Sequence, residues 1–556
     1  MKQRSFFLIL LIFVLSFLSI GGGIFAWTLN SSSLNLLNEN FKKEPLAPLF
    51  IPQQSPAILS LLVNPDSLEN LAKWRISPWK RSLVQQDINQ LETNLLKSTG
   101  LDYREQIQPW LGEELTLAIT SLDYDHNPNN GAQPGYLLAV QTKDVQLAKE
   151  FLQAAYSEKV LKRNSELKFQ QYKGVNLITQ QSLVPKPNLI FNSSAVLADF
   201  VLFTNHPKIL QEAINTLQVP DLSLNSSPSY KKALHLSSKS RLGLFYGNLP
   251  LLSAWLGNDY RVNNPEIFQA MTINLSLNTN GIVAQVELID NKLSKDEKSL
   301  SQESIGLLKY TPSDSIFSLI AIDLPQLWNK VQTELSVKSP LQELIQDAIA
   351  RLENNLDIAV SREVFPWIKG EFSLSLVQDP LHKKPQWLFI AERKPPEEAL
   401  AGIKNLDYIA SEKGLGISHL NILGKQATVW TQLTEDVDSL TNLKTIARGL
   451  HLNLNDKYEI FASSVEVLKN TLIHASKIVR PTFQEATIDK SKANGGYFYL
   501  NWEKFGPILK QKYPIASVLE IPLEPFLSHL KSLTLTSQKS EQGINQVNIS
   551  FNLMAD

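Results

Sequence analysis

The phrase "QPWLGEELTLAIT" at 108–120 returns as "FPWIKGEFSLSLV" at 365–377, 257 residues later and without a gap. Pro109 falls on Pro366, Trp110 on Trp367, Glu114 on Glu371 and Leu117 on Leu374. Four further matches keep the same order. "PGYLLAVQTKD" (134–144) pairs with "PQWLFIAERKP" (385–395), and "VLFTNHPKIL" (201–210) with "EIFASSVEVL" (459–468). "LFYGNL" (244–249) pairs with "YFYLNW" (497–502), and "MTINLSLNTNGI" (271–282) with "LTLTSQKSEQGI" (533–544), Gly281 falling on Gly543. Separations stay between 251 and 262 residues, so the pattern describes one architecture written twice.

Each copy can be read by hydrophobic period. Ala57–Val63 is a short apolar run stopping at Asn64-Pro65, a helix start. Leu83, Val84, Ile88, Leu91, Leu95 and Leu96 mark one helical stripe, and Leu341, Leu344, Ile345, Ala348, Ile349 and Leu352 another. Helices are expected from about Asp144 and from Pro395-Pro396, with short β segments at 167–180 and 416–431. A strand then runs into a capped helix near Thr204 and Asn205. In the second copy the cap is Ser463, with Glu466 completing a capping box. Both copies finish on a hairpin. Strands outnumber helices and the turns are too short for parallel crossovers. The fold class expected is α+β: two tandem homologous modules, each a mainly antiparallel sheet with helices packed on one face, after one N-terminal transmembrane helix. Pro109 and Pro366 should end the approach to a strand, with Trp110 and Trp367 plugging the core beneath it.

The amino terminus reads as an address. Lys2 and Arg4 precede Phe6–Trp27, which contains no charged residue and is long enough to cross a bilayer, a span needing roughly 20 residues. An uncleaved anchor and a cleaved signal segment ending at Ile24-Phe25-Ala26 both fit, and both deliver the body across the membrane. The domain reading is therefore 1–27 anchor or signal segment, 28–50 tether, 51–290 first repeat, 291–304 polar linker and 305–556 second repeat. The amino terminus would be cytoplasmic and the body periplasmic or lumenal.

Chemistry is hard to find. The 53 basic and 54 acidic residues leave a net charge of -1 with no clustered basic face, which argues against nucleic acid. The absence of cysteine rules out disulfides, thiolate zinc sites, iron–sulfur clusters and a cysteine nucleophile. Histidines at 126, 206, 235, 382, 419, 451, 474 and 529 show no zinc-ligand spacing, and His206 before Pro207 reads as a helix cap. Three S-x-x-K patterns (Ser77–Lys80, Ser229–Lys232, Ser528–Lys531) lack the companion motifs of a serine–lysine enzyme. "DYDHNPNNG" (123–131) spaces Asp123, Asp125, Asn127 and Asn129 like a calcium loop. However, Pro128 and Pro134 stand where glycine and the bidentate glutamate belong, which favours a hairpin loop. No catalytic, cofactor or metal residue is assigned.

The charged start, the glycine-ended apolar segment, "LLVNPDSLENL" (61–71), "TGLDYREQIQPWLGEELTLA" (99–118) and "NGAQPGYLLAVQTKD" (130–144) resemble domain-of-unknown-function family 3352 along nearly the whole chain. That resemblance implies a cyanobacterial envelope or thylakoid protein and brings no activity. The function expected is a membrane-anchored, non-catalytic scaffold, assembly or binding factor with envelope or thylakoid protein partners. The alternatives are a carrier of an apolar ligand such as a lipid, and an envelope hydrolase with an unrecognised site.

Overall fold

A computed structural model describes residues 44–64, 99, 101–127, 129–161, 165–182, 191–236, 241–255, 270–277, 281–289, 307, 310–312, 315–334, 350, 353, 358–378, 385–435, 443–476, 494–512, 530–539 and 544–553. The anchor, the 291–304 linker, the helical stripe expected near 83–96 and the apolar residues of the stripe expected near 341–352 lie outside the described residues. Among the described residues no helix is long and apolar enough to cross a membrane.

Among the described residues, ten strands precede residue 290: β1 (Ala57–Leu61), β2 (Leu111–Ser121), β3 (Gly135–Thr142), β4 (Ser165–Tyr172), β5 (Val175–Ser182), β6 (Ser193–Leu197), β7 (Phe200–Thr204), β8 (Gly243–Asn248), β9 (Ala270–Leu277) and β10 (Gly281–Ile289). Ten more follow: β11 (Ser315–Ile322), β12 (Glu371–Val377), β13 (Gln386–Glu392), β14 (Gly416–Ile422), β15 (Lys425–Glu435), β16 (Leu443–Asn453), β17 (Tyr458–Ala462), β18 (Asn494–Asn501), β19 (Leu530–Lys539) and β20 (Ile544–Leu553). The helices are α1 (Val145–Leu161), α2 (Pro207–Gln218), α3 (Pro228–Leu236), α4 (Leu249–Trp255), α5 (Leu324–Glu334), α6 (Val360–Glu363), α7 (Pro396–Glu412), α8 (Val465–Ser476) and α9 (Trp502–Lys512).

Among the described residues every ladder is antiparallel, and the two-residue turns of β4–β5 and β14–β15 allow nothing else. Reading outward from β10, the order is β9, β8, β1, β2, β3, β7, β6, β5, β4. Reading outward from β20, it is β19, β18, β11, β12, β13, β17, β16, β15, β14. The two series meet where β10 pairs with β20 over nine residue pairs, from Gly281 opposite Asn552 to Ile289 opposite Ile544, centred on Gln285 and Asn548. Leu530, Phe551 and Trp502 pack with Phe245, Met271 and Ala284 at this seam, so apolar burial backs the backbone pairing.

Helices cover both faces of the sheet, not one. α1 packs on Leu138, Val140, Val201 and Phe203, whereas α2 and α3 pack on Leu137, Ala139, Leu202 and Tyr246. The reason is visible in β7, "FVLFT", buried at all five positions: a strand apolar on both faces needs cover on both. α7 and α8 repeat the arrangement around β13 and β17. The stretch read as tether also enters the body earlier than residue 50. Ala47, Phe50 and Ile51 join the first core, beginning with a short 3-10 turn at Ala47–Leu49.

Trp110 and Trp367 are buried, at 0% and 5% exposure, beside α1 and α7. A single π-type turn (Tyr103–Ile107) leads to Trp110, whose indole N–H donates to the Gln106 carbonyl at 2.6 Å. A 3-10 turn (Phe365–Trp367) carries Trp367, whose indole nitrogen has no hydrogen-bond partner among the described residues. One latch is common to both halves: Asn205 accepts the Tyr136 amide at 2.8 Å, and Ser463 accepts the Trp387 amide at 2.9 Å. Ser463 is thereby taken from the capping role expected of it. Ser464 caps α8 instead, accepting the Val467 amide at 3.3 Å.

Alanine at either tryptophan should cost about 3–5 kcal/mol in urea unfolding, because a large fully packed ring is lost. Phenylalanine separates the two sites. Trp110→Phe forfeits a made hydrogen bond and should cost about 1 kcal/mol more than Trp367→Phe, which forfeits none.

Candidate functional site

A buried group of ionisable side chains stands on the α7 side of the second strand series. His451 on β16 and Glu459 on β17 lie on one face of a hairpin, as diagonal neighbours: His451 is opposite Phe461, and Asn453 is opposite Glu459. Asp407 descends from α7. His451 Nδ1 is 2.7 Å from Glu459 Oε1 and its Nε2 3.1 Å from Asp407 Oδ1, so a protonated ring donates to both carboxylates. Asp407 Oδ1 also accepts the Trp430 indole N–H at 2.8 Å, and the imidazole stacks on Phe461 with centroids 5.3 Å apart.

Burial alone would lower the His451 pKa, but the two carboxylates outweigh it and push the value up to about 9. Burial likewise opposes the charge on Asp407, yet hydrogen bonds from His451 and Trp430 hold its carboxyl below the usual range. The result is an imidazolium clamped between two anions. Both ring nitrogens are engaged, which leaves no free lone pair for a base to use on a substrate.

The same place in the first strand series is built without charge. Ser194 lies opposite Phe203 as His451 lies opposite Phe461, and there the Tyr156 hydroxyl from α1 meets Ser194 Oγ at 2.9 Å. Burial pushes the Tyr156 hydroxyl up to about 12, so it stays protonated.

A second polar group runs beneath α3. Glu114, matched in sequence to Glu371, accepts the Leu46 and Ala47 amides at 2.7 and 2.9 Å and the Thr116 hydroxyl at 2.8 Å. Burial raises its pKa while these bonds pull it back. Its role is to stitch the segment entering the body onto β2. Glu371 is equally buried but faces the Tyr458 hydroxyl at 3.2 Å. Glu287 on β10 is fully enclosed and accepts Gln285 at 2.6 Å and Thr272 at 3.1 Å, with burial again raising its pKa. The Tyr230 hydroxyl and the Asn274 carboxamide are buried beside this seam with no hydrogen-bond partner among the described residues.

His206 caps α2, its Nδ1 accepting the Lys208 amide at 3.2 Å, and stacks on Tyr124. The Asp123, Asp125 and Asn127 side chains of the 123–131 loop are turned on nearby residues: Asp125 accepts Asn127 and Asn130, Asn127 accepts Asn129, and Asp123 accepts Gln133. Ser229 bonds to Ser227 and Tyr246, whereas Ser77, Lys80 and Ser528 lie outside the described residues. Among the described residues no group of three or more acidic or histidine side chains could hold a metal ion. The sequence did contain a signal for the His451 cluster. "HLNLNDKYE" is a hairpin around Asn455-Asp456 that sets residues 451 and 459 on one face. Nothing local points to Asp407.

A family model described as "Protein of unknown function (DUF3352)" matches residues 10–553. The chain belongs to this family. Comparison with curated proteins yields no match. Among solved structures, crystal form III of TP0453 is similar at 11% identity and a TM-score of 0.24, covering 46% of this chain and 82% of that one. Crystal form I of TP0453 gives 10% identity and a TM-score of 0.24, covering 46% and 83%.

The raised His451 pKa sets a pH window for this DUF3352 protein. The folded state holds the proton more tightly than an unfolded histidine near 6.5, so the stabilisation is whole below that pH and is lost as pH rises through about 9. Its size is about 3 kcal/mol. Denaturant unfolding at pH 6 and pH 10 should show this loss in the wild type and a much smaller change in His451→Gln.

Proposed function

We propose that the chain is a membrane-tethered, extracytoplasmic protein that binds or assembles envelope or thylakoid partners without catalysing a reaction, built from two tandem copies of one α+β module. The observation that carries this reading is the strand order, which runs identically outward from β10 and from β20. The paired latches at Asn205 and Ser463, and the paired tryptophans, support the duplication at single residues. A continuous sheet, of twenty strands among the described residues, offers edges and broad faces that suit docking better than turnover.

The buried ionisable groups support the non-catalytic side of the proposal. Asp407, His451 and Glu459 spend their hydrogen bonds on one another, and Glu114 spends its own on the incoming chain. Catalytic groups need a reacting atom within reach and a pKa near the working pH. The tether rests on Phe6–Trp27, an uncharged run behind Lys2 and Arg4.

Membranes from cells making the chain should retain it through alkaline carbonate washing, and protease added from the extracytoplasmic side should digest its body. Affinity purification in detergent should then bring down a stoichiometric protein partner. Recovery of the full-length chain in the soluble cytosolic fraction contradicts the tether. Turnover of an envelope polymer by the purified chain contradicts the non-catalytic reading.

A further inference from the structure

Among the described residues the sheet ends in two edge strands, β4 and β14, and they are not alike. β4 carries Glu166 and Lys168, charges of the kind that keep an edge from pairing with another chain. β14, "GISHLNI", carries no charge and no proline, and six of its seven residues are exposed. Its ladder with β15 is regular over seven pairs, with no bulge to twist the edge away. Ile417 and Leu420 stand exposed on its opposite faces, and Leu423 at the turn is exposed as well.

The turn decides which backbone groups are offered. Leu423 and Gly424 both have positive φ, 52° and 83°, the signature of a two-residue hairpin turn. Ile422 and Lys425 are then the closing hydrogen-bonded pair. Because such pairs alternate, the amides and carbonyls of Ile417, His419 and Asn421 point away from the sheet. A bilayer cannot take this edge, since the unpaired backbone groups would lose water and gain nothing. A strand can.

We infer that the β14 edge pairs antiparallel with the β14 edge of a second copy of this chain, across a two-fold axis at His419. That register uses all three outward-facing residues, setting Ile417 against Asn421 and His419 against its own counterpart. On the other positions Ser418 meets Leu420. No Asp, Glu, Lys or Arg lies at any paired position, so the only ionisable groups that meet are the two His419 imidazoles. The chain already joins strands in this manner once, in the antiparallel β10–β20 ladder. The inference stands on the sheet edge alone and needs neither the tether nor the duplication.

The test uses the full chain in detergent micelles. Sedimentation equilibrium should show a dimer. His419→Pro removes an outward donor while leaving the β15 ladder intact, and Leu420→Lys sets a charge on the edge; each should weaken dimerisation roughly tenfold or more. Phe169→Pro, at an outward position of β4, should leave the dimer unchanged. Because the chain has no cysteine, His419→Cys supplies a single thiol and should give a disulfide-linked dimer on oxidation. Circular dichroism checks that each variant is folded, and the crosslink stays informative if the proline variant is not. A monomer at all concentrations, a dimer indifferent to the β14 variants, or a failure of His419→Cys to crosslink overturns the inference.

Discussion

Backbone pairing between β10 and β20 is the joint on which the described molecule depends. Each of these strands is the outer arm of a hairpin, β9–β10 or β19–β20, and without its partner would be an open edge carrying a row of unpaired amides and carbonyls. Pairing them over nine residues removes two edges at once and turns two ten-strand series into one sheet. The apolar cluster at the seam draws on both sides of it, Met271 and Ala284 with Phe551 and Trp502, so the ladder is not held by hydrogen bonds alone. Net hydrogen bonding in water is modest, roughly 0.5–1.5 kcal/mol per bond, and the burial of these side chains is what makes the register specific.

Once the sheet is continuous, the placement of charge becomes the second constraint. A strand buried on both faces has no room for an unpaired ion. The molecule meets that condition differently at corresponding places. Tyr156 and Ser194 form a neutral bond in the first series, whereas Asp407, His451 and Glu459 form an ionic triad in the second. The triad holds a proton on His451 between two carboxylates, where the first series holds only a neutral hydroxyl pair. In both places the polar atoms that meet between helix and sheet are turned on one another.

Much of this was legible in the sequence. The doubled Pro-Trp phrase announced two buried tryptophans, and the terminal hairpins and the helices at 144 and 396 followed from period and turn chemistry. Other features were not legible, for identifiable reasons. The expectation of helices on one face failed at β3 and β7, whose unbroken apolar runs demand cover on both sides. The cap of α8 moved by one residue because Ser463 is recruited across the sheet by Trp387, a contact 76 residues away in the chain. The β10–β20 register joins segments hundreds of residues apart, and no local pattern encodes it. His451 and Glu459 share a readable hairpin, but Asp407 reaches them only through the packing of α7.

A disulfide across the β10–β20 joint tests the account most directly, since the natural chain has no cysteine to interfere. Val286 lies opposite Val547, and facing residues in an antiparallel ladder are close enough for the bond to close. The double variant Val286→Cys/Val547→Cys should oxidise within one molecule and become harder to unfold than its reduced form. Displaced pairs such as Val286→Cys/Ser550→Cys should not. Failure of the facing pair to close, or equal closure of the displaced pair, would mean that the two strand series do not form one sheet.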